Sequence, residues 1–257
     1  MSYVFEFLPE TIALLLFAAF AAGFIDSIAG GGGLITVPAL LLAGATPIET
    51  LGTNKLQSVF GSGSATWSYA RAGHVNVQQQ LPMGIVSFAA SMVGAYCAWL
   101  LPQDIFRQIL PFVLVGIAVY FVMKPDVSDL DNKERITPLV FSITLVPVIG
   151  FYDGIFGPGT GSFFMLGFVA LAGFGLLKAT AHTKLLNFAS NLGSLIVFGL
   201  LGVVLWKTAL AMGIGQFFGA RLGAKFAMKN GAEIIKPLLV LVCLALAARL
   251  AWQSWGG

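Results

Sequence analysis

Apolar residues run through this chain in blocks of helical length, with polar residues confined to short punctuation between them. The blocks cover 11–29, 34–44, 50–70, 82–101 and 106–123; after the polar run Lys124 to Arg135 they resume at 137–156, 162–177, 185–205, 209–228 and 236–252. Most are long enough to cross a hydrocarbon core of ~30 Å, and they lack the ten-residue alternation of an outer-membrane barrel. The pattern predicts an all-α polytopic membrane protein of about ten apolar helical segments, making eight to ten spans. Segment 34–44 is the exception, since eleven residues at 1.5 Å each cover only about 16 Å. It either crosses as a short helix or re-enters, and the same choice applies to 162–177.

The blocks repeat. An offset of 127 carries Asp26, Gly30 and Gly32 onto Asp153, Gly157 and Gly159, and an offset of 129 carries Lys55-Leu56 onto Lys184-Leu185 and Met83-Gly84 onto Met212-Gly213. The same 129 takes Asp104, Ile105 and Arg107 to Glu233, Ile234 and Lys236. Two homologous halves are expected, 1–123 and 136–257, joined by a polar linker at 124–135. Five crossings per half would invert one half relative to the other, which is the expected arrangement; four would leave them parallel.

Each half carries the same interruption. Gly23-Phe24-Ile25-Asp26-Ser27-Ile28-Ala29-Gly30-Gly31-Gly32-Gly33 in the first answers to Gly150-Phe151-Tyr152-Asp153-Gly154-Ile155-Phe156-Gly157-Pro158-Gly159-Thr160-Gly161 in the second. Clustered glycines break a helix, and in lipid a broken helix persists only where it is buried in protein or lines a polar cavity. The bland alternative is close helix packing through small residues. An aspartate in each copy argues against it, because an intramembrane ionisable group costs several kcal/mol unless partnered. Two matching breaks at the midplane therefore predict a shared site.

A second word follows each break: Gly52-Thr53-Asn54-Lys55-Leu56-Gln57-Ser58, and Ala181-His182-Thr183-Lys184-Leu185-Leu186-Asn187. Asn54, Ser58 and Gly61, and likewise Thr183, Asn187, Ser190 and Asn191, fall on one helical face. We place each lysine at a helix start, where ammonium, free N–H groups and the positive dipole end would together attract an anion. The alternative is that Lys55 and Lys184 reach to the interface with their charged ends. The anion-binding set is Lys55, Lys184, Asn54, Thr183, Asn187, Gly30, Gly32, Gly159 and Gly161. Asp26 and Asp153 are the candidates to neutralise the lysines or to exchange protons, and His182, a residue type that ordinarily titrates near neutral pH, is a third candidate for coupling.

Composition narrows the class. Of 257 residues 58% are hydrophobic and 10% charged, with a formal net charge of +3, against roughly 25% charged in soluble proteins. The basic residues lie mostly in short loops and read as a topology signal, so no nucleic-acid partner is implied. Arg221, Lys225, Lys229 and Lys236 mark one loop as cytoplasmic, while residues 1–54 contain no Lys or Arg; both termini are expected outside. Met1 to Glu10 lacks the basic region of a cleavable signal, and Trp252 and Trp255 suit an interfacial anchor. Cys97 and Cys243 stand alone in apolar runs, without metal or disulfide spacing. No cofactor and no enzyme activity are expected, because no nucleophile–base pair or metal motif is present.

The first break with its continuation Leu34-Ile35-Thr36-Val37-Pro38-Ala39-Leu40 and Gly52-Thr53-Asn54-Lys55-Leu56 resembles the sulfite exporter TauE/SafE family, among them the YfcA-like proteins, as do Asp153-Gly154 to Ser162 and Thr183-Lys184-Leu185-Leu186-Asn187. The resemblance covers essentially the whole chain. It implies a secondary carrier in the bacterial or archaeal cytoplasmic (inner) membrane for small sulfur-containing anions such as sulfite, sulfoacetate or other organic sulfonates. An anion channel of the same architecture is the alternative. The lipid bilayer and a small anionic substrate are the expected partners; a proton or sodium coupling ion and a homodimer are left open.

Overall fold

Helix starts are written into the sequence as caps. Thr46 and Glu49 form a reciprocal capping box with Pro47 at the first helical position; Asn76 accepts from the Gln79 N–H, and Thr137 from that of Val140 with Pro138 following. These satisfy N–H groups that a helix leaves free at its first turn. The computed structural model of the protein describes residues 7–101, 130–131 and 133–231. Among them are eight helices and no strand: α1 Pro9–Ala29, α2 Gly33–Leu42, α3 Pro47–Arg71, α4 Val77–Leu100, α5 Pro138–Ile155, α6 Thr160–Ala170, α7 Leu176–Leu200 and α8 Trp206–Asn230. The expected segments 106–123 and 236–252, and with them Lys124, Lys236, Cys243, Trp252 and Trp255, lie outside the described residues.

Three helices, α1, α4 and α5, are long and apolar enough to cross a membrane. At 25 residues each, α3, α7 and α8 extend about 37 Å, but polar residues dilute their hydropathy. Those residues point inward: Thr53, Lys55, Gln57, Ser62, Lys184, Ser190, Asn191 and Gln216 are buried, while Phe17, Ile85, Ile143, Val148, Ile214 and Phe218 are exposed. Polar groups inside and large apolar ones outside are the reverse of a water-soluble protein, and they suit a surrounding of lipid.

Helix directions follow from the close contacts. Glycines at positions 215, 219 and 223 of α8 meet the backbone of Leu16, Phe20 and Phe24 of α1 in step, so the two helices run parallel. A Cβ at any of these glycines would overlap a carbonyl oxygen of α1, so only glycine permits the approach. Gly150 and Gly154 of α5 meet Ser87 and Ser91 of α4 in the same parallel manner. α3 runs parallel to α8, with Ser64 bonded to the Phe217 carbonyl and the Leu205 N–H bonded to Thr53; α4 runs parallel to α7, with Ser87 on the Leu186 carbonyl and Ser91 on that of Ser190. α3 and α7 are antiparallel, since Gly52 lies against Phe198 and Gly63 against Phe188.

Two groups result, α1–α2–α3 with α8 and α4 with α5–α6–α7, meeting chiefly along α3 and α7. α1, α3 and α8 run one way and α4, α5 and α7 the other. A shift of 129 converts the bounds of α3, 47–71, into those of α7, 176–200. Leu101 lies at the face where α3 begins, and Asp131, bonded to the Gly175 N–H, at the face where α3 ends.

Several boundaries differ from those read off the apolar pattern. The block 162–177 ends as a helix at Ala170, because Gly173 takes φ +72° and the Phe174 N–H turns back to Phe168; Leu176 already belongs to α7. The block 185–205 is displaced: α7 starts nine residues earlier, including polar residues that the bundle interior accommodates. Lys55 and Lys184 are consequently not at helix starts. Each is the ninth residue of a helix, beyond the reach of its own N-terminal N–H groups.

Candidate functional site

α1 and α5 both end at the centre of the bundle, and both breaks open there. Gly30 closes α1 at φ +80°, and Gly159 precedes α6 at φ +87°, a left-handed backbone that glycine adopts at no steric cost. A Cβ on Gly30 would lie 2.6 Å from the Ser162 N, so the two breaks touch. Ser162 donates to the Ala29 carbonyl at 3.0 Å, tying them together. Tyr69 donates to the Ser27 carbonyl at 2.8 Å and Tyr152 to that of Pro158 at 2.6 Å, which pins each break from outside.

The four ionisable groups pair crosswise between the halves. Lys55 Nζ lies 2.8 Å from Asp153 Oδ1 and donates to the Asp153 carbonyl at 2.6 Å. Lys184 Nζ lies 3.1 Å from Asp26 Oδ2 and also bonds to the Asp26 carbonyl. Each lysine therefore caps the C-terminal end of the other half's broken helix, where a cation opposes the negative end of the dipole. The lysines are fully buried, so neither reaches an interface.

Between the pairs is a narrow polar cavity lined by Asp26, Gly31, Gly32, Gly33, Asn54, Ser58, Asp153, Gly157, Gly159, Thr160, Gly161, Asn187 and Asn191. Its volume of about 20 Å³ holds roughly one water and is too small for an oxoanion of four heavy atoms. The first turns of α2 and α6 face it. Gly32 N–H bonds to Asp26 Oδ1 at 3.0 Å, whereas the N–H groups of Gly33 and Gly161 have no acceptor among the described residues. A larger groove of about 510 Å³ between α5 and α6 is apolar apart from Arg135 and Tyr152, and it offers no comparable donor set.

Of the residues singled out from sequence, Asp26, Asp153, Asn54, Asn187, Gly32, Gly159 and Gly161 line the cavity. Lys55 and Lys184 stand one layer behind it: Lys55 Nζ would be 3.3 Å from a Cβ on Gly157, and Lys184 Nζ 3.5 Å from one on Gly161. Gly30 packs on Ser162 and does not line it. Thr183 is buried with its hydroxyl unbonded and is also outside the lining. His182 is remote, its ring 5.6 Å from that of Phe168 and 4.8 Å from that of Phe174. Among the described residues no group of three His, Cys, Asp or Glu is placed to hold a metal.

Two residues of the site escaped the sequence reading. Thr160 donates to Asp153 Oδ1 at 2.7 Å, and Thr36 to Asn54 Oδ1 at 2.6 Å, with Gln57 donating to the same oxygen at 2.7 Å. Thr160 was concealed in a glycine run; its place seven residues after Asp153, one helical break away, is the signal that could have exposed it.

Residues 15–250 match the family model described as "Sulfite exporter TauE/SafE". A "Probable membrane transporter protein ORF9" of Sinorhizobium is 64% identical over 239 residues, covering 93% of this chain and 92% of that protein. A "Probable membrane transporter protein YfcA" of Escherichia coli is 45% identical over 248 residues, 96% of this chain and 92% of that protein, and the YunE protein of Bacillus subtilis, named in the same way, is 25% identical over 269 residues, with 95% and 98% covered. No solved structure matches. With the match spanning both breaks and both lysine words, the chain belongs to the sulfite exporter TauE/SafE family.

Proposed function

We propose that this protein is a secondary carrier of small anions in the bacterial inner membrane, with the substrate held between the two broken helices. The observation that carries this reading is the central cavity, where two half-helix N-termini with free N–H groups converge and two lysines from opposite halves stand one layer behind. The family's name and the relatives' names support transport, and they make sulfite and organic sulfonates the first substrates to test. The opposed directions of α3 and α7, of α1 and α5, and of α4 and α8 support inverted repeats, which require an odd number of crossings per half. Among the described residues outside the bundle centre, Arg71, Lys133, Arg135, Lys178, Arg221, Lys225 and Lys229 lie toward the face where α3 ends, against Lys207 alone at the other. By the positive-inside rule that face is cytoplasmic and the N-terminus is outside.

A carrier is favoured over a channel because the cavity accommodates about one water and its walls are tied by buried ion pairs. An anion can enter only when those ties loosen, which couples occupancy to a change of shape. A thermal-shift screen of purified protein against sulfite, sulfate, thiosulfate and two- to three-carbon sulfonates identifies the ligand. Counterflow in proteoliposomes then separates the two modes. Saturable exchange accelerated by substrate on the far side is expected; non-saturating flux that follows the imposed voltage would establish the channel instead.

A further inference from the structure

The two aspartates occupy equivalent places but are not equally satisfied. Asp26 uses both oxygens: Oδ1 accepts from the Gly32 N–H at 3.0 Å and Oδ2 pairs with Lys184 at 3.1 Å. Asp153 places both of its donors on one oxygen, with Lys55 at 2.8 Å and the Thr160 hydroxyl at 2.7 Å from Oδ1. Its Oδ2 is buried and has no hydrogen-bond partner, in a residue that lines the cavity. A buried carboxylate oxygen left without a donor carries charge that nothing compensates, and of the four aspartate oxygens in the site it alone can take a proton without displacing a donor already bonded to it.

We infer that Asp153 Oδ2 is the proton acceptor of the transport cycle, that Asp26 is a positioning residue for Lys184, and that one proton accompanies each monovalent anion. The inference rests on the carrier reading above for its second half, though not for the identity of the proton acceptor. The ionisable groups around Asp153 are Lys55 from α3, Asp26 from α1, which shares the cavity, Lys184 from α7 behind Gly161, and the adjacent Tyr152 of α5. With both carboxylates ionised and both lysines charged, the four central groups sum to zero. An anion then meets a wall whose carboxylates already hold the ammonium groups. A proton from water forms an O–H bond at Asp153 Oδ2, the carboxyl becomes neutral, and the Lys55 ammonium is released for the anion. The set becomes +1, and one monovalent anion returns it to zero. On the opposite side the anion leaves, the proton returns to water, and Lys55 re-pairs with Asp153. The loaded and empty sites carry the same charge, so the cycle is electroneutral.

Two measurements test this. Infrared difference spectra of ligand-free protein on acidification should show a protonated-carboxyl band that is present in wild type and Asp26→Asn and missing in Asp153→Asn. The neutral-pair variant Lys55→Met with Asp153→Asn, expected to fold even where the single variant does not, should also lack it. A band that survives in both Asp153 variants, or that disappears with Asp26→Asn instead, overturns the assignment, whether or not any anion is transported. In proteoliposomes with methanesulfonate, a permanent monoanion, apparent affinity should fall tenfold per unit of rising pH, and accumulation should follow an imposed pH gradient and ignore an imposed voltage. A hundredfold slope or voltage-driven accumulation rejects the one-proton stoichiometry. Absence of transport by wild type, with the infrared result intact, rejects the carrier reading and its stoichiometry while leaving Asp153 as the proton acceptor.

Discussion

Replacing Lys55 by Met removes an ammonium that is completely buried and bonded at 2.8 Å to Asp153 Oδ1 and at 2.6 Å to the Asp153 carbonyl. Met is an unbranched chain of nearly the same length and shape, so packing changes little; what changes is that Asp153, 1% exposed, keeps a charge with only Thr160 to stabilise it. Breaking a buried pair from one side costs about 3–5 kcal/mol, whereas removing both charges is often close to neutral. With a midpoint shift of ~2–4 °C per kcal/mol for a chain of this size, Lys55→Met should melt about 6–20 °C below wild type in detergent. Adding Asp153→Asn should recover most of that loss, and adding Asp26→Asn should recover none. The mirror cycle applies to Lys184→Met, rescued by Asp26→Asn only. These four double variants, compared by thermal melting in one detergent, test the crossed pairing directly. Rescue of Lys55→Met by Asp26→Asn, or additive losses in every combination, would show that the lysines do not pair across the halves, and the reasoning about the site would fail with it.

Other expectations follow from single contacts. Gly219→Ala puts a methyl against the Phe20 carbonyl of α1 and should destabilise by roughly 1–3 kcal/mol through overpacking. Gly84→Ala meets only the Ala189 Cβ at 3.7 Å and should stabilise by up to about 1 kcal/mol through helix propensity; melting temperatures that rank the other way refute the packing. Gly30→Ala with Gly32→Ala forces a side chain onto a φ of +80° and into Ser162 and Asp26, so uptake should fall by a larger factor than folded yield. At the membrane face, the Lys178 ammonium at 2.7 Å and the Gly175 N–H at 2.7 Å hold the Asp131 carboxyl below the usual carboxylate range. Because the folded value is depressed, the stabilisation is complete above the unfolded value of about 3.9 and is lost as pH falls through the folded value. The pair is exposed, so Asp131→Asn should cost only ~0.2–1 kcal/mol, and its melting difference from wild type should vanish in acid. In a Cys97→Ala, Cys243→Ala background, a cysteine replacing Lys207 should react with impermeant maleimide in intact cells and one replacing Glu134 only after permeabilisation; the reverse pattern inverts the topology.

The elements that the sequence made legible are those where lipid leaves few choices. Asp26, Asp153, Lys55 and Lys184 stood out because a charge in an apolar run has to be partnered, and all four meet at one place. The breaks were legible for the same reason, since neither Gly30-Gly31-Gly32-Gly33 nor Gly157-Pro158-Gly159 can continue a helix unnoticed. The pairing was not: Lys55 and Asp153 are 98 positions apart and Lys184 and Asp26 are 158 apart, and nothing local records which carboxylate a lysine reaches. The lysines were misplaced at helix starts because buried polar words look like punctuation when burial is judged by hydropathy. The capping box Thr46-Pro47-Ile48-Glu49 marked the true start of α3 two turns earlier, and a Thr-x-x-Glu signal of this kind outweighs a local drop in hydropathy. Thr183 shares a helical face with Asn187 and Asn191, but only those two line the cavity.

The direction of each helix also bears on which parts can move. The two sequence halves are not the two packed groups, because α8 of the second half lies on α1 through glycine contacts and α4 of the first half lies on α5 in the same way. Those seams have backbone against backbone and little room to slide. The seam between groups is made mainly by α3 against α7, with side chains such as Phe188 on Gly63 and Phe198 on Gly52. Both buried ion pairs cross this second seam, Lys55 on α3 to Asp153 on α5, and Lys184 on α7 to Asp26 on α1. A rocking motion that opens the cavity to alternate faces would therefore occur between α1–α2–α3–α8 and α4–α5–α6–α7, with the ion pairs as its latches. Disulfides test this division in the Cys97→Ala, Cys243→Ala background. A bridge between cysteines at positions 84 and 189, within one group and with Cβ atoms 3.7 Å apart, should leave exchange at wild-type rate, whereas a bridge between positions 63 and 188 should abolish it reversibly, with recovery on reduction. Full exchange with the 63–188 bridge closed would mean that the groups do not move against each other, and access would then have to be controlled by the α1–α2 and α5–α6 breaks alone.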